Sequence, residues 1–261
     1  MDPKKVSRRN FLRMTSAGAA LSAMPGILEA KQGPSLNVLG ANERIRVACV
    51  GFSDRFRYSL MPCFKRWKDE LNFDMVGLAD LWSKRREVGK ATLEKEFGHP
   101  IELFTSDEDL FARAKDIDAV IISTADFQHA FHARHAVEAG YDAYCEKPMA
   151  EDMDAANALW DAVKAKRKAG FAKGAVFQIG SQRRSSPQYH IANDFIRSGK
   201  FGKITYVDLC WNVNQSRRWR RPEALVNSLK EADTNWKMWL LDRPMVDFDP
   251  RKYLEFRTFW P

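Results

Sequence analysis

The sequence predicts an α/β protein whose first domain is a parallel sheet flanked by helices. Three observations carry this reading. Short apolar runs recur at 45–50, 73–79, 118–124, 141–145 and 175–179. Most of these runs stop at a turn-forming or charged residue, Gly51, Asp80 and Glu146 among them. The stretches between them read as helices of about 10–15 residues, the length at which consecutive strands pair in parallel through right-handed crossovers. Ligands in such sheets bind at the carboxyl ends of the strands.

Taken in order, 45–50 is an apolar strand ending at Gly51, followed by a helical stretch to about residue 71. The run 73–79 is closed by Asp80, and a charged helix fills 82–97. A short extended piece, 101–104, precedes Ser106, which is placed to cap a helix through 114 with Glu108 and Asp109 in its first turn. After strand 118–124, a helix over 127–139 is stopped by Gly140. Strand 141–145 runs into Glu146-Lys147-Pro148, and a helix at 151–168 and a strand at 175–179 follow. Beyond Gly180 a helix is expected at 187–197 and an alternating strand at 204–213, while 214–261 is rich in Trp, Arg and Pro with little periodicity. The expected partition is a leader at 1–30, a linker at 31–43, a first domain at 44–150 and a partial second domain at 151–261.

The formal charge is +8 over 261 residues, and part of the excess sits in the first stretch, where Lys4, Lys5, Arg8, Arg9 and Arg13 face Asp2 alone. The scattered remainder argues against nucleic acid as a partner. Ser7-Arg8-Arg9-Asn10-Phe11-Leu12 has the form of a twin-arginine export signal, and the weakly apolar stretch at 14–28 suits its hydrophobic region. The expected partners therefore include the export machinery, and the expected location is periplasmic or exported. The leader's A-x-A triplet, Ala17-Gly18-Ala19, lies early, so an uncleaved leader acting as an anchor is the alternative. Cys49, Cys63, Cys145 and Cys210 form no C-x-x-C pair and are read as buried thiols. No metal site is expected, because His129, His132 and His135 drift around a helix face and no Cys/His cluster supports them. His129, at the helix start, is the functional candidate, and the other two are read as surface residues.

The first strand–helix turn reads Gly51-Phe52-Ser53-Asp54-Arg55-Phe56 where a dinucleotide fingerprint would have G-x-G-x-x-G. Only the first glycine is present. Asp54 is either a helix cap or a negative charge near the phosphates, which Arg55 and Arg57 could offset. Asp80 suits the hydroxyls of an adenosine ribose and repels a 2′-phosphate, which favours NAD; Lys84, Arg85 and Arg86 keep NADP open. A lysine at the rim beside a nicotinamide suits the polarisation or protonation of a substrate oxygen, and Lys147 stands there. Standing alone, the tripeptide is equally an ordinary strand end with a surface ion pair. Gln182-Arg183-Arg184 and the basic run at 217–221 lie near Trp211 and Trp236 in sequence, a composition that suits sugar stacking or solvated loops.

Together these residues resemble the glucose–fructose oxidoreductase and inositol dehydrogenase (Gfo/Idh/MocA) family. The resemblance rests on Ala79-Asp80, on Thr124-Ala125-Asp126-Phe127-Gln128-His129 against T-P-D-x-x-H, and on the run from Ala139 to Met149 containing Glu146-Lys147-Pro148. Gly180-Ser181-Gln182-Arg183-Arg184 and Gly202-Lys203-Ile204 extend it. The family implies a Rossmann-type domain, then an α/β domain with a mainly antiparallel sheet, and hydride transfer with NAD(P) at a sugar or polyol hydroxyl. It implies Lys147 as the catalytic lysine, and Gly51, Phe52, Ser53, Arg55, Asp80, Thr124, His129 and Glu146 on the cofactor. Gln182, Arg183 and Trp236 fall to the substrate. Relatives continue past this chain's end with a Gly-rich segment and a D-x-x-x-H motif, so a C-terminally truncated chain with an incomplete second sheet is expected. Relatives also associate through that sheet, which implies a homo-oligomer. Two other readings stand beside the oxidoreductase: an NAD-using glycosidase without net redox, and a non-catalytic dinucleotide-binding remnant.

Overall fold

The computed structural model describes residues 44–170, 174–212 and 217–259. The leader and linker assigned to 1–43 lie outside the described residues. Six strands form one sheet in the order β3-β2-β1-β4-β5-β6, and every neighbouring pair is parallel. They are β1 (Ile45–Val50), β2 (Phe73–Ala79), β3 (Glu102–Phe104), β4 (Ala119–Ile122), β5 (Asp142–Glu146) and β6 (Phe177–Gly180). This is the doubly wound order of a dinucleotide-binding sheet, with its switch point between β1 and β4.

The connecting helices are α1 (Met61–Trp67), α2 (Ser83–Phe97), α3 (Asp107–Arg113), α4 (His129–Ala139) and α5 (Met153–Lys168). Local chemistry explains their ends. Ser106 accepts a hydrogen bond from Asp109 N at 3.1 Å, the expected cap of α3. Asp152 caps α5 by accepting from Ala155 N at 2.7 Å. Gly140 ends α4 in the left-handed conformation that favours glycine. Between Phe56 and Leu60 the chain makes a π turn before α1, with Met61 N–H donating to the Phe56 carbonyl. Pro62, which has no N–H, follows directly.

The two faces of the sheet bury separate cores. One gathers Val50, Ala79, Phe104, Leu110, Val120, Ile122, Val137 and Leu159 beneath α3, α4 and α5. The other holds Val47, Cys49, Phe52, Phe56, Met75, Leu78 and Leu93. Because β6 pairs with β5 and α5 packs on α4, the sheet unit continues to Gly180 and does not stop at 150.

Past Gly180 the helix at 187–197 is present as α6 (Pro187–Arg197), with none of its residues buried. The strand expected at 204–213 is not formed within 204–212: the chain is unpaired there, and Tyr206, Leu209 and Trp211 are exposed. An alternating pattern satisfies one face of a strand, but a strand also needs a neighbour for its backbone groups. The described residues supply none. From 223 onward three short helices, α7 (Glu223–Asn227), α8 (Trp236–Leu240) and α9 (Pro250–Leu254), pack Val226, Leu229, Trp236, Trp239, Tyr253 and Leu254 around Trp82. Among the described residues no helix is long and apolar enough to cross a membrane.

Candidate active site

Gly51 leaves β1 at φ 89°. A Cβ there would lie 2.8 Å from Thr124 Cγ2 and 2.9 Å from the Ser123 carbonyl oxygen, so glycine is what lets the ends of β1 and β4 close together. Ser53 occupies the second glycine position with its hydroxyl turned inward. It shares a 2.5 Å hydrogen bond with the Ser123 hydroxyl and accepts from Phe56 N at 3.2 Å. Ser53 therefore provides the side-chain acceptor at the start of the helical turn, and Asp54 instead forms an ion pair with Arg221 at 3.0 Å. Phe56, at the third glycine position, is fully buried against Phe52 with ring centroids 5.7 Å apart.

Asp80 follows β2 and is buried. Its two carboxylate oxygens accept from the backbone amides of Phe52 and Trp82, each at 2.9 Å. These bonds aim the carboxylate across the turn. The role of Phe52 runs through its amide, since its ring is in the core. Arg86 is tied to the carbonyls of Asp80 and Leu81, while Arg85 lies over the Trp82 ring with its guanidinium carbon 5.3 Å from the centroid.

At the end of β5, Glu146 is 3% exposed and accepts from Arg55 Nε at 2.9 Å, so the first turn reaches across β4 to the E-K-P segment. Lys147 is exposed and, among the described residues, its ammonium forms no ion pair. The Lys147–Pro148 peptide is cis. His129, 1% exposed, places Nδ1 2.7 Å from the Pro148 carbonyl, so Nδ1 carries the proton and the ring braces the turn that presents Lys147. Burial pushes the His129 pKa down, against the opposing pull of that carbonyl.

Gly51, Ser53, Arg55, Asp80 and Thr124 line one cleft of about 870 Å³, counting its open mouth. Glu146 joins it through Arg55, and Phe52 through its amide. His129 and Lys147 belong to the neighbouring turn. Gln182 and Arg183 are exposed after β6, outside the cleft lining, with Arg183 donating to the Tyr189 hydroxyl at 2.9 Å. Trp236 is 5% exposed, stacked on Trp239 at 4.8 Å, with its indole N–H donating to the Val246 carbonyl. No open ring face is left there for a sugar.

Several cleft residues escaped sequence reasoning. Arg221, Trp239, Tyr253 and Arg257 form its outer wall. That wall is held down by Gln128, whose side-chain amide donates to the Trp239 carbonyl at 2.7 Å, and by the Arg257–Asp126 ion pair. The tight Trp236-Lys237-Met238-Trp239 spacing was the available signal. His132 is buried and not the surface residue expected, whereas His135 is partly exposed. Both place Nδ1 against Asp107 Oδ2, at 2.8 and 3.0 Å, and Asp107 and His132 are buried at the cleft floor. A carboxylate at the start of α3 draws in the histidines of the helix beside it. Burial alone would raise the Asp107 carboxyl; the two imidazoles overcome this and hold it well below the usual carboxylate range. His135 is raised by its bond to Asp107, against partial burial. Two cysteines also depart from expectation: Cys49 and Cys145 are buried, but Cys63 lies on the outer face of α1 and Cys210 in the unpaired segment, both exposed.

The cleft suits a dinucleotide on two counts. Gly51, at φ 89°, makes the tight turn that the first strand–helix loop of such a site needs. Thr124 Oγ1, in the lining, is a buried hydroxyl with no hydrogen-bond partner among the described residues.

Comparison with known proteins agrees with this geometry. Residues 45–173 match the Gfo/Idh/MocA oxidoreductase family, described as an NAD-binding Rossmann fold. Levoglucosan dehydrogenase of Pseudarthrobacter phenanthrenivorans is 31% identical over 144 residues, 53% of this chain and 35% of that protein. A glycosyl hydrolase family 109 protein of Solibacter usitatus is 25% identical over 239 residues, 85% of this chain and 51% of its own length. Among solved structures, the WlbA dehydrogenase of Bordetella pertussis, in complex with NADH and UDP-GlcNAcA, shares the fold with a TM-score of 0.51 at 23% identity, covering 61% of this chain and 44% of that one. The chain thus spans about half or less of the length of these relatives. Residues 45–173 are an NAD-binding Rossmann domain of the Gfo/Idh/MocA oxidoreductase family.

Proposed function

We propose that the chain binds NAD along this cleft and transfers hydride at a hydroxyl of a sugar or polyol. The observation that carries the reading is the Asp80 carboxylate, aimed by two backbone amides beside the Gly51 turn, on the same sheet rim as Lys147. When bound, NAD supplies the hydride acceptor or donor. Asp80 accepts from the ribose hydroxyls and repels a 2′-phosphate, which favours NAD over NADP. Gly51 and Thr124 face the pyrophosphate. Glu146, paired with Arg55, sets the position of the adjoining Lys147, whose ammonium polarises the substrate oxygen and exchanges a proton with it. Gln182 and Arg183 contribute substrate contacts. Sugar and polyol chemistry is supported by the levoglucosan dehydrogenase relative and by inositol 2-dehydrogenase 1 of Paenarthrobacter aurescens, 28% identical over 119 residues.

Lys147→Ala is expected to abolish turnover while leaving NAD affinity within about twofold. Undiminished turnover would remove Lys147 from the reaction, and absence of any NAD binding by the unaltered chain would end the proposal. A second reading, an NAD-using glycosidase with no net redox, is favoured by the family 109 relative, which aligns with 85% of this chain. Release of sugar without accumulation of NADH separates it from the first. The leader is proposed to direct export by the twin-arginine route, which carries folded proteins, with the dinucleotide loaded beforehand. Chain purified from the cytoplasm should then carry NAD, detectable by mass spectrometry.

A further inference from the structure

The histidine pair on α4 belongs to neither the sheet core nor the Lys147 turn, yet one member reaches the cleft. Along the sheet order, a dinucleotide with its pyrophosphate at Gly51 over β1 and its adenosine ribose at Asp80 over β2 continues toward the end of β3. The floor there consists of Ser106 and Asp107 at the start of α3, and of Gln128 and His132. Most of the polar groups on this floor are already engaged. Ser106 Oγ caps α3. Gln128 accepts from Ala125 N at 3.1 Å and donates to the Trp239 carbonyl at 2.7 Å. Asp107 Oδ2 faces two imidazole nitrogens.

His132 differs from these groups. Its ring is 4% exposed and lines the cleft; Nδ1 is held by Asp107, and Nε2 has no hydrogen-bond partner among the described residues. The carboxylate requires the proton on Nδ1, which in the neutral ring makes Nε2 an acceptor. An acceptor fixed at this place matches the exocyclic amine of adenine, a donor, and opposes the carbonyl that hypoxanthine carries at the same ring position.

We infer that His132, positioned by Asp107, accepts a hydrogen bond from the adenine amine and makes the cleft selective for adenine dinucleotides. This rests on the NAD-binding reading above. A net hydrogen bond of about 1–1.5 kcal/mol corresponds to roughly a 5- to 13-fold change in affinity.

The test is calorimetric titration of the full chain with NAD and with nicotinamide hypoxanthine dinucleotide at one pH. The unaltered chain should bind NAD about 5- to 13-fold more tightly than the hypoxanthine analogue. His132→Phe keeps a flat ring but removes the acceptor; it should weaken NAD by a similar factor and bring the two ligands to equal affinity. Equal binding of the two ligands by the unaltered chain overturns the inference while leaving NAD binding intact, and needs no variant to fold. Persistence of the discrimination in His132→Phe likewise overturns it. Failure of the unaltered chain to bind either ligand overturns the NAD reading and this inference together.

Discussion

Replacing Gly51 by alanine tests the structural argument for the first turn in isolation. Two terms add. A side chain in the left-handed region at φ 89° costs about 1–2 kcal/mol. The new Cβ would meet Thr124 Cγ2 at 2.8 Å and the Ser123 carbonyl at 2.9 Å. The methyl can turn aside but the backbone oxygen, held in the β4 end, cannot, and such overpacking costs about 1–3 kcal/mol. The sum is about 2–5 kcal/mol, and at about 2–4 °C per kcal/mol for a domain of this size the melting temperature should fall by roughly 4–20 °C. Gly98 provides the control: its φ is 81°, but nothing lies within 4 Å of its Cβ position. Gly98→Ala should therefore lose only the backbone part, about 1–2 kcal/mol. Thermal unfolding followed by circular dichroism compares the two directly. If Gly51→Ala is no less stable than Gly98→Ala, the close approach of β1 and β4 is not what requires glycine, and the reasoning fails.

Other expectations follow from the buried groups. Asp107→Asn leaves two histidines without their carboxylate and should destabilise by about 3–5 kcal/mol at about pH 5. The depressed Asp107 carboxyl contributes stability that is present above its unfolded pKa and lost as pH falls through its folded value. The raised His135 contributes stability that is present below its unfolded pKa and lost as pH rises through its folded value. The difference in melting temperature between the parent and Asp107→Asn should thus be largest between about pH 4 and pH 6.5 and shrink on both sides; a difference that does not change with pH would contradict this. Trp239→Ala removes the ring stacked on both Trp236 and Tyr253 and should cost about 3–5 kcal/mol in the aromatic cluster. Limited proteolysis would read this as faster cleavage within 221–257, and an unchanged cleavage pattern would argue against the cluster holding that segment down. A thiol reagent should modify two cysteines in the native chain, Cys63 and Cys210, and reach Cys49 and Cys145 only after unfolding, since burial encloses both and pushes their pKa values up.

The parallel sheet was legible because its strands are buried on both faces and so read as unbroken apolar runs, each stopped by a residue that faces the rim. Gly51, Asp80 and Glu146 could be placed at that rim from strand ends alone. The cap at Ser106 was equally local, since a serine and the acids after it act within one turn. Where partners lie far along the chain, local pattern fails. Ser53 stands where the fingerprint would have its second glycine; its bond to Ser123, 70 residues away, makes it a brace, which no local pattern shows. His132 and His135 looked solvent-facing because helix spacing says nothing of the carboxylate that a neighbouring helix brings to them.

By itself, then, the sequence determined where the sheet strands lie along the chain and that they run parallel, the residues at their carboxyl ends and the family resemblance, because periodicity and turn chemistry act over a few residues. Only the tertiary structure decided what each of those residues touches: that Arg55 pairs with Glu146 across the sheet, that Trp236 lies inside a cluster, and that 204–212 runs without a neighbour. Ion pairs, buried hydrogen bonds and strand pairing are contacts between distant segments, and they exist only once the backbone has brought those segments together.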